Sequence, residues 1–240
     1  MEPNRARATV IRWPGMNSST RESLSTLIAD AERALGPLAE RDGRILYSSI
    51  DTLRPGKLYL LGLNPGDGCD RYHQIGESLR DMPNHASNTY LDDDWGRGIG
   101  GHHTQQRVCF VLRALGHDPR DVFATNLVFA RSKSWTKEQS ALVPVCLRVH
   151  RMFLSIIQPR VVLTFGREAF QTFLRASDQA GVTAFFDTGV PNGAANFSCY
   201  ANDVILFRQN LRVVCLPHLS KFKIDAQPKT VNWLREMSHV

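Results

Sequence analysis

Residues 57–66 read KLYLLGLNPG, and this stretch decides the fold. Lys57 to Leu63 is apolar almost throughout, as a strand covered on both faces must be. It runs into Asn64-Pro65-Gly66, where proline and glycine cannot continue a strand and the chain has to turn. The same grammar recurs downstream. Val122–Phe129 (VFATNLVF) is a second buried strand with one polar interruption, Thr125-Asn126. Arg160–Phe165 is a third, Val204–Phe207 a further short one, and Arg212–Leu216 runs into Pro217-His218 after a Gln209-Asn210 turn.

Between these runs the spacing turns helical. Leu24, Leu27, Ile28, Ala31 and Leu35 share one face, and Gly36-Pro37 ends it. Val108, Val111, Leu112 and Leu115 share another, closed by Gly116. Lys137–Ile157 reads as a long helix bent at Pro144, Gly166–Leu174 as a shorter one, and Gln227–Met237 as the last. Gly181–Asn196 reads as a Gly/Asn-rich loop. Strands alternating with helices predict an α/β domain: three-layer α/β/α around a central, mainly parallel four-stranded sheet. Residues 1–240 form one such domain, with 1–55 as a helical extension packed on it. In parallel sheets ligands bind beyond the carboxyl ends of the strands. Asn64, Asn126 and His218 stand at or near three such ends, and that convergence marks the expected site.

Composition bounds the function. The net charge of +6 favours an anionic partner such as DNA or RNA, although an acidic membrane or a merely solvated surface fits the same number. Cys69, Cys109, Cys146, Cys199 and Cys215 contain no C-x-x-C pair, so a reduced, cytoplasmic chain is expected, with no metal, iron–sulfur or other cofactor. Residues 1–15 lack the apolar core of a signal peptide, and no stretch reads as the roughly 20 apolar residues of a membrane span. No obligate protein partner is indicated.

Four segments in order resemble the uracil-DNA glycosylase superfamily. LGLNPG resembles the first motif of its mismatch-specific and single-strand-selective branches. GHDPRDVFATNLV, QPRVVLTFGREA and LPHLSKF resemble its later segments, so the likeness covers Leu58 to Phe222. The resemblance implies a hydrolase that flips uracil or a related deaminated base out of DNA and cuts its glycosidic bond in base excision repair. It implies that Asn64 positions the attacking water and that Asn126 hydrogen-bonds the base edge. It also implies that His218 stabilises charge on the leaving base. Gly62, Leu63 and Pro65 would complete the base pocket, with an aromatic stacked on the base; Tyr72, Tyr90 and Trp95 compete for that place. In the loop after His218, Ser220, Lys221 and Lys223 would hold phosphate. Leu219 or Phe222 would be an apolar wedge pressed between bases. Leu219 and Lys221 stand where the family usually carries proline.

Each residue also has an ordinary reading. Asn64-Pro65-Gly66 is a good strand-ending turn, Asn126 fits a satisfied buried amide, and a lone His218 fits a structural histidine. Two other functions therefore stay open: a catalytically silent nucleic-acid binder of the same fold, and a hydrolase of free nucleosides or nucleotides. Residues 67–101 are polar and long for a connection. Within them GRGIGG (96–101) matches G-x-G-x-x-G but follows Asp92-Asp93-Asp94 rather than a strand, which excludes a dinucleotide fingerprint. Its glycines would serve as a hinge or offer amides to a phosphate. The aspartates read as a solvated run, and no metal is assigned to them.

Overall fold

The computed structural model describes residues 18–66, 74–177 and 183–238. In chain order the elements are α1 (Ser18–Leu35), β1 (Leu58–Gly62), α2 (Ile75–Arg80), α3 (Thr89–Asp92), α4 (His103–Ala114), β2 (Phe123–Asn126), α5 (Lys137–Ile157), β3 (Val161–Phe165), α6 (Arg167–Leu174), β4 (Ala184–Asn192), β5 (Ala195–Leu206), β6 (Gln209–Leu216) and α7 (Pro228–Ser238).

Every residue of β1, β2 and β3 is buried, as their apolar runs require. β1 lies between β2 and β3, parallel to both, with Gly62 opposite Asn126 and Leu61 opposite Thr164. β6 joins β3 in parallel, Phe165 facing Leu216. β5 and β4 then add antiparallel, giving a six-stranded mixed sheet in the order β2-β1-β3-β6-β5-β4. The expected sheet of four is thus corrected to six.

β4 comes from the stretch read as a loop, and the short strand read at Val204–Phe207 is the end of the longer β5. β4 alternates half-buried and exposed positions and is broken by Gly189 and Pro191, so it carries no continuous apolar run. Asn192 pairs with Ala195 across a two-residue turn, with Gly193 at φ +65°, the positive φ such a turn demands. The turn between β5 and β6 is Phe207-Arg208, at φ +51° and +65°, and not Gln209-Asn210, which belong to β6. Arg151 lies over the Phe207 ring at 5.7 Å.

Apolar side chains leave the sheet on both faces. Tyr59, Leu61 and Phe123 join a cluster with Leu35 of α1, Phe153 of α5 and Phe170 of α6. Leu58, Leu60 and Ala124 join a second cluster with Val108 and Leu112 of α4 and Leu234 of α7. Helix α5 is 21 residues long, and an 18-residue window of it has mean hydropathy 1.5, so by length and composition alone it is apolar enough to cross a bilayer. Here its apolar stripe, including Val149, Phe153 and Ile157, packs into the first cluster.

One polar tie crosses that cluster behind the expected site. The Tyr59 hydroxyl meets His150 Nδ1 at 2.8 Å, and His150 Nε2 meets the Leu127 carbonyl at 3.0 Å. A carbonyl only accepts, so Nε2 carries the ring proton and Nδ1 accepts from Tyr59. Burial pushes the His150 pKa down to about 4, which keeps the ring neutral. Leu127 directly follows Asn126, so the tie secures the end of β2.

Candidate functional site

Because β1, β2, β3 and β6 run parallel, their carboxyl ends share one edge, and a cavity of about 870 Å³ opens there. Gly62, Leu63, Asn64, Asn126 and His218 all line it, so three well-separated sequence segments meet in one place. Pro65 is buried behind this lining and acts through its backbone carbonyl.

Asn126 is only 6% exposed, yet its side-chain amide makes no hydrogen bond to any described residue. The amide lines the cavity and is left to pair with whatever fills it. The register explains how it fits: its side-chain oxygen occupies the space that a Cβ on Gly62 would need. Strand β1 can only end in glycine there.

The Asn64 amide is fixed differently. Its Nδ2 donates to the carbonyls of Pro65 at 2.8 Å and Ser132 at 2.9 Å. Both partners are acceptors, so the nitrogen has to face them and Oδ1 is left to accept. The turn forced by Pro65 therefore supplies one of the two carbonyls that orient the residue before it. An oriented amide oxygen can hold a water without deprotonating it.

His218 begins a tight turn in which the amides of Lys221 and Phe222 both donate to its carbonyl. Its Nδ1 receives the Ser220 backbone N–H at 3.3 Å and lies 2.6 Å from Ser220 Oγ. An N–H donor at Nδ1 places the ring proton on Nε2, so His218 is a neutral donor. Desolvation, and then the nearby Lys221 charge, lower its pKa and favour that form. Gly166 stands next to the ring at φ +87°; a Cβ there would be in ordinary contact with His218 at 3.6 Å, so it is the positive φ that calls for glycine.

The rest of the loop corrects the sequence reading. Leu219 and Phe222 are each 1% exposed and belong to the second core cluster, so neither projects as a wedge. Lys221 and Lys223 are exposed, and Ser220 is half-buried against the histidine.

The opposite wall comes from residues 85–104. Trp95 lines the cavity with its ring edge-on to Tyr90 at 5.8 Å and 5.7 Å from the His102 ring. Tyr90 lines it too, whereas Tyr72 lies outside the described residues. The three aspartates are not a solvated run. Asp92 pairs through both oxygens with Arg120, and Asp93 pairs with the buried Arg44 at 3.0 Å. Asp94 Oδ1 accepts from the amides of Gly96, Arg97 and Gly98 at 2.7–3.0 Å. The glycine loop therefore closes around its own carboxylate, and those amides are not available to a phosphate.

No family model matches this chain, and no curated protein matches it.

The functional assignment thus rests on the site itself. The sequence reading missed the Arg44–Asp93 pair on the cavity wall, and it missed Arg107. The Arg107 guanidinium reaches from α4 to the carbonyls of Leu219 at 2.6 Å and Ser220 at 3.2 Å. Neither residue carries a local sequence signal, since each partner lies far along the chain.

Proposed function

We propose that this chain is a uracil-DNA glycosylase-like hydrolase that takes uracil or a related deaminated base, flipped out of DNA, and cuts its N-glycosidic bond. The observation that carries the reading is the Asn126 amide, buried and unpartnered among the described residues, in one cavity with an oriented acceptor at Asn64 and a neutral donor at His218.

An amide presents a donor and an acceptor together, which matches the N3–H and O4 edge of uracil. As the bond between C1′ and the base nitrogen breaks, its electron pair leaves with the base and the sugar becomes cationic. His218 Nε2–H is then placed to donate to the oxygen gathering negative charge, a contribution of several kcal/mol in such sites, typically about 3. Asn64 Oδ1 holds the water that adds to C1′; the water's proton leaves to solvent, yielding free base and an abasic sugar. The sugar cation needs a positioned water more than a strong base, so an amide suffices. Lys221 and Lys223, exposed beside the histidine, are the matching contacts for DNA phosphate. The layered fold with helices on both sheet faces fits this reading, β4 and β5 being an addition to its parallel part.

A second reading is favoured by the burial of Leu219 and Phe222. Without an exposed apolar wedge the loop is poorly equipped to open a duplex, which favours a base already unstacked, in single-stranded DNA or a free nucleotide.

Single-turnover release of uracil from labelled single- and double-stranded DNA tests both, comparing the native chain with Asn64→Ala and His218→Ala. Steep loss in both variants supports the assignment. Release that survives both removes these residues from the chemistry. No release from any DNA, with binding that weakens steeply as salt rises, identifies a silent binder.

A further inference from the structure

The loop that carries His218 lacks the prolines that would stiffen it, yet it is held from two directions. From inside, Leu219 and Phe222 anchor it in the core. From outside, Arg107 Nη1 donates to the Leu219 and Ser220 carbonyls, and His103 Nε2 meets the Ser220 carbonyl at 3.1 Å. Arg107 and His103 sit one turn apart on α4, a helix fixed to the sheet by Val108 and Leu112. The Arg107 side chain is 13% exposed and its nearest carboxylate, Asp225, is 4.0 Å away. Its strongest hydrogen bonds therefore go to backbone oxygens, and those oxygens belong to the two residues that follow His218.

Ser220 is the pivot of this arrangement. Its carbonyl is clamped by Arg107 and His103, while its N–H and hydroxyl meet His218 Nδ1. Whatever fixes the Ser220 peptide also fixes the ring's tautomer and the direction of its Nε2–H.

We propose that Arg107 is a positioning residue: its clamp on Leu219 and Ser220 supplies the rigidity that aims His218 into the cavity. The proposal rests on the assignment of His218 as the donor to the leaving base. Arg107 does not touch the substrate. It acts through the Ser220 peptide: the two N–H bonds of the single Nη1 reach two adjacent carbonyls, and the planar, always-charged guanidinium holds that nitrogen in place.

The test combines Arg107→Met, Arg107→Lys and His218→Ala, alone and in pairs, in single-turnover release of uracil from DNA. A misaimed donor costs about a hundredfold in rate. Arg107→Met should lose about that much in the maximal rate with the half-saturating DNA concentration unchanged, and Arg107→Lys should lose less. In the His218→Ala background, Arg107→Met should slow release no further, because the two residues act as one unit. Equal losses in both backgrounds, or an effect on half-saturation alone, would overturn the proposal.

A second readout needs no activity. The imidazole nitrogens of His218, observed by NMR, should show one tautomer in the native chain and averaging of both in Arg107→Met. An unchanged spectrum overturns the clamp. If the native chain releases no base, the glycosylase reading fails by itself and the spectrum alone decides Arg107. Should Arg107→Met not fold, Arg107→Lys carries both measurements.

Discussion

Asn126 places its side-chain oxygen where a Cβ on Gly62 would stand, and the two residues face each other across β1 and β2. Any side chain at 62 must push the amide aside. In an ordinary strand, alanine would be favoured over glycine, but here collision decides the sign, costing about 1–3 kcal/mol as overpacking does. Gly62→Ala should therefore slow base release about a hundredfold while unfolding in urea stays cooperative. Native-like release from this variant would show that Asn126 does not hold the base.

Asn64 offers a sharper distinction than removal. Its nitrogen serves two carbonyls, so Asn64→Asp would set a carboxylate oxygen against the Pro65 and Ser132 oxygens. The side chain must then swing away or take up a proton. We expect Asn64→Asp to be no more active than Asn64→Ala, and less stable than it by about 1 kcal/mol or more. Urea midpoints and single-turnover rates for the pair check this. An active aspartate variant would mean that a general base, not an oriented water, limits the reaction.

How much of this was legible follows from where each residue finds its partners. β1 and β3 are buried along their whole length and read as apolar runs, β2 and the second half of β6 as shorter ones, and the polar residues in or just after those runs stand out. That is why Asn64, Asn126 and His218 could be picked from the chain. β4 packs on only one side and leaves Phe185 57% exposed, so its pattern is diluted by Asp187, Gly189 and Pro191. Its hairpin did carry a signal, the Asn192-Gly193 pair, which the surrounding polar residues masked. Arg44 and Arg107 were illegible for another reason. Their partners lie 49 and 112 residues away, and nothing local marks a basic residue that will be folded against a distant carboxylate or carbonyl.

The buried His150 sets a pH dependence whose sign is fixed. Its pKa falls from an ordinary 6.5 to about 4 in the folded chain, so between those values the unfolded state binds the extra proton. Stability from this group is complete above about pH 6.5 and is lost as pH falls towards 4, by on the order of 3 kcal/mol. His150→Gln should flatten the decline between pH 7 and pH 4.5 in urea unfolding, while lowering stability at pH 7 through the lost Tyr59–Leu127 tie. A slope that does not change would mean another group governs acid unfolding.

Asn202 tests whether every buried amide in this sheet is kept for a purpose. It sits in β5 opposite Val213, fully buried, and neither its nitrogen nor its oxygen has a partner among the described residues. Unlike Asn126 it does not line the cavity, so no ligand is there to satisfy it. Such an amide costs about 1–3 kcal/mol, and valine suits a buried strand by shape and propensity. Asn202→Val should therefore raise the urea midpoint while leaving base release unchanged, whereas Asn126→Val should abolish release. A lower midpoint for Asn202→Val would mean that an enclosed water completes its hydrogen bonds. The case for Asn126 as a ligand group does not depend on that outcome, since it rests on its place in the cavity.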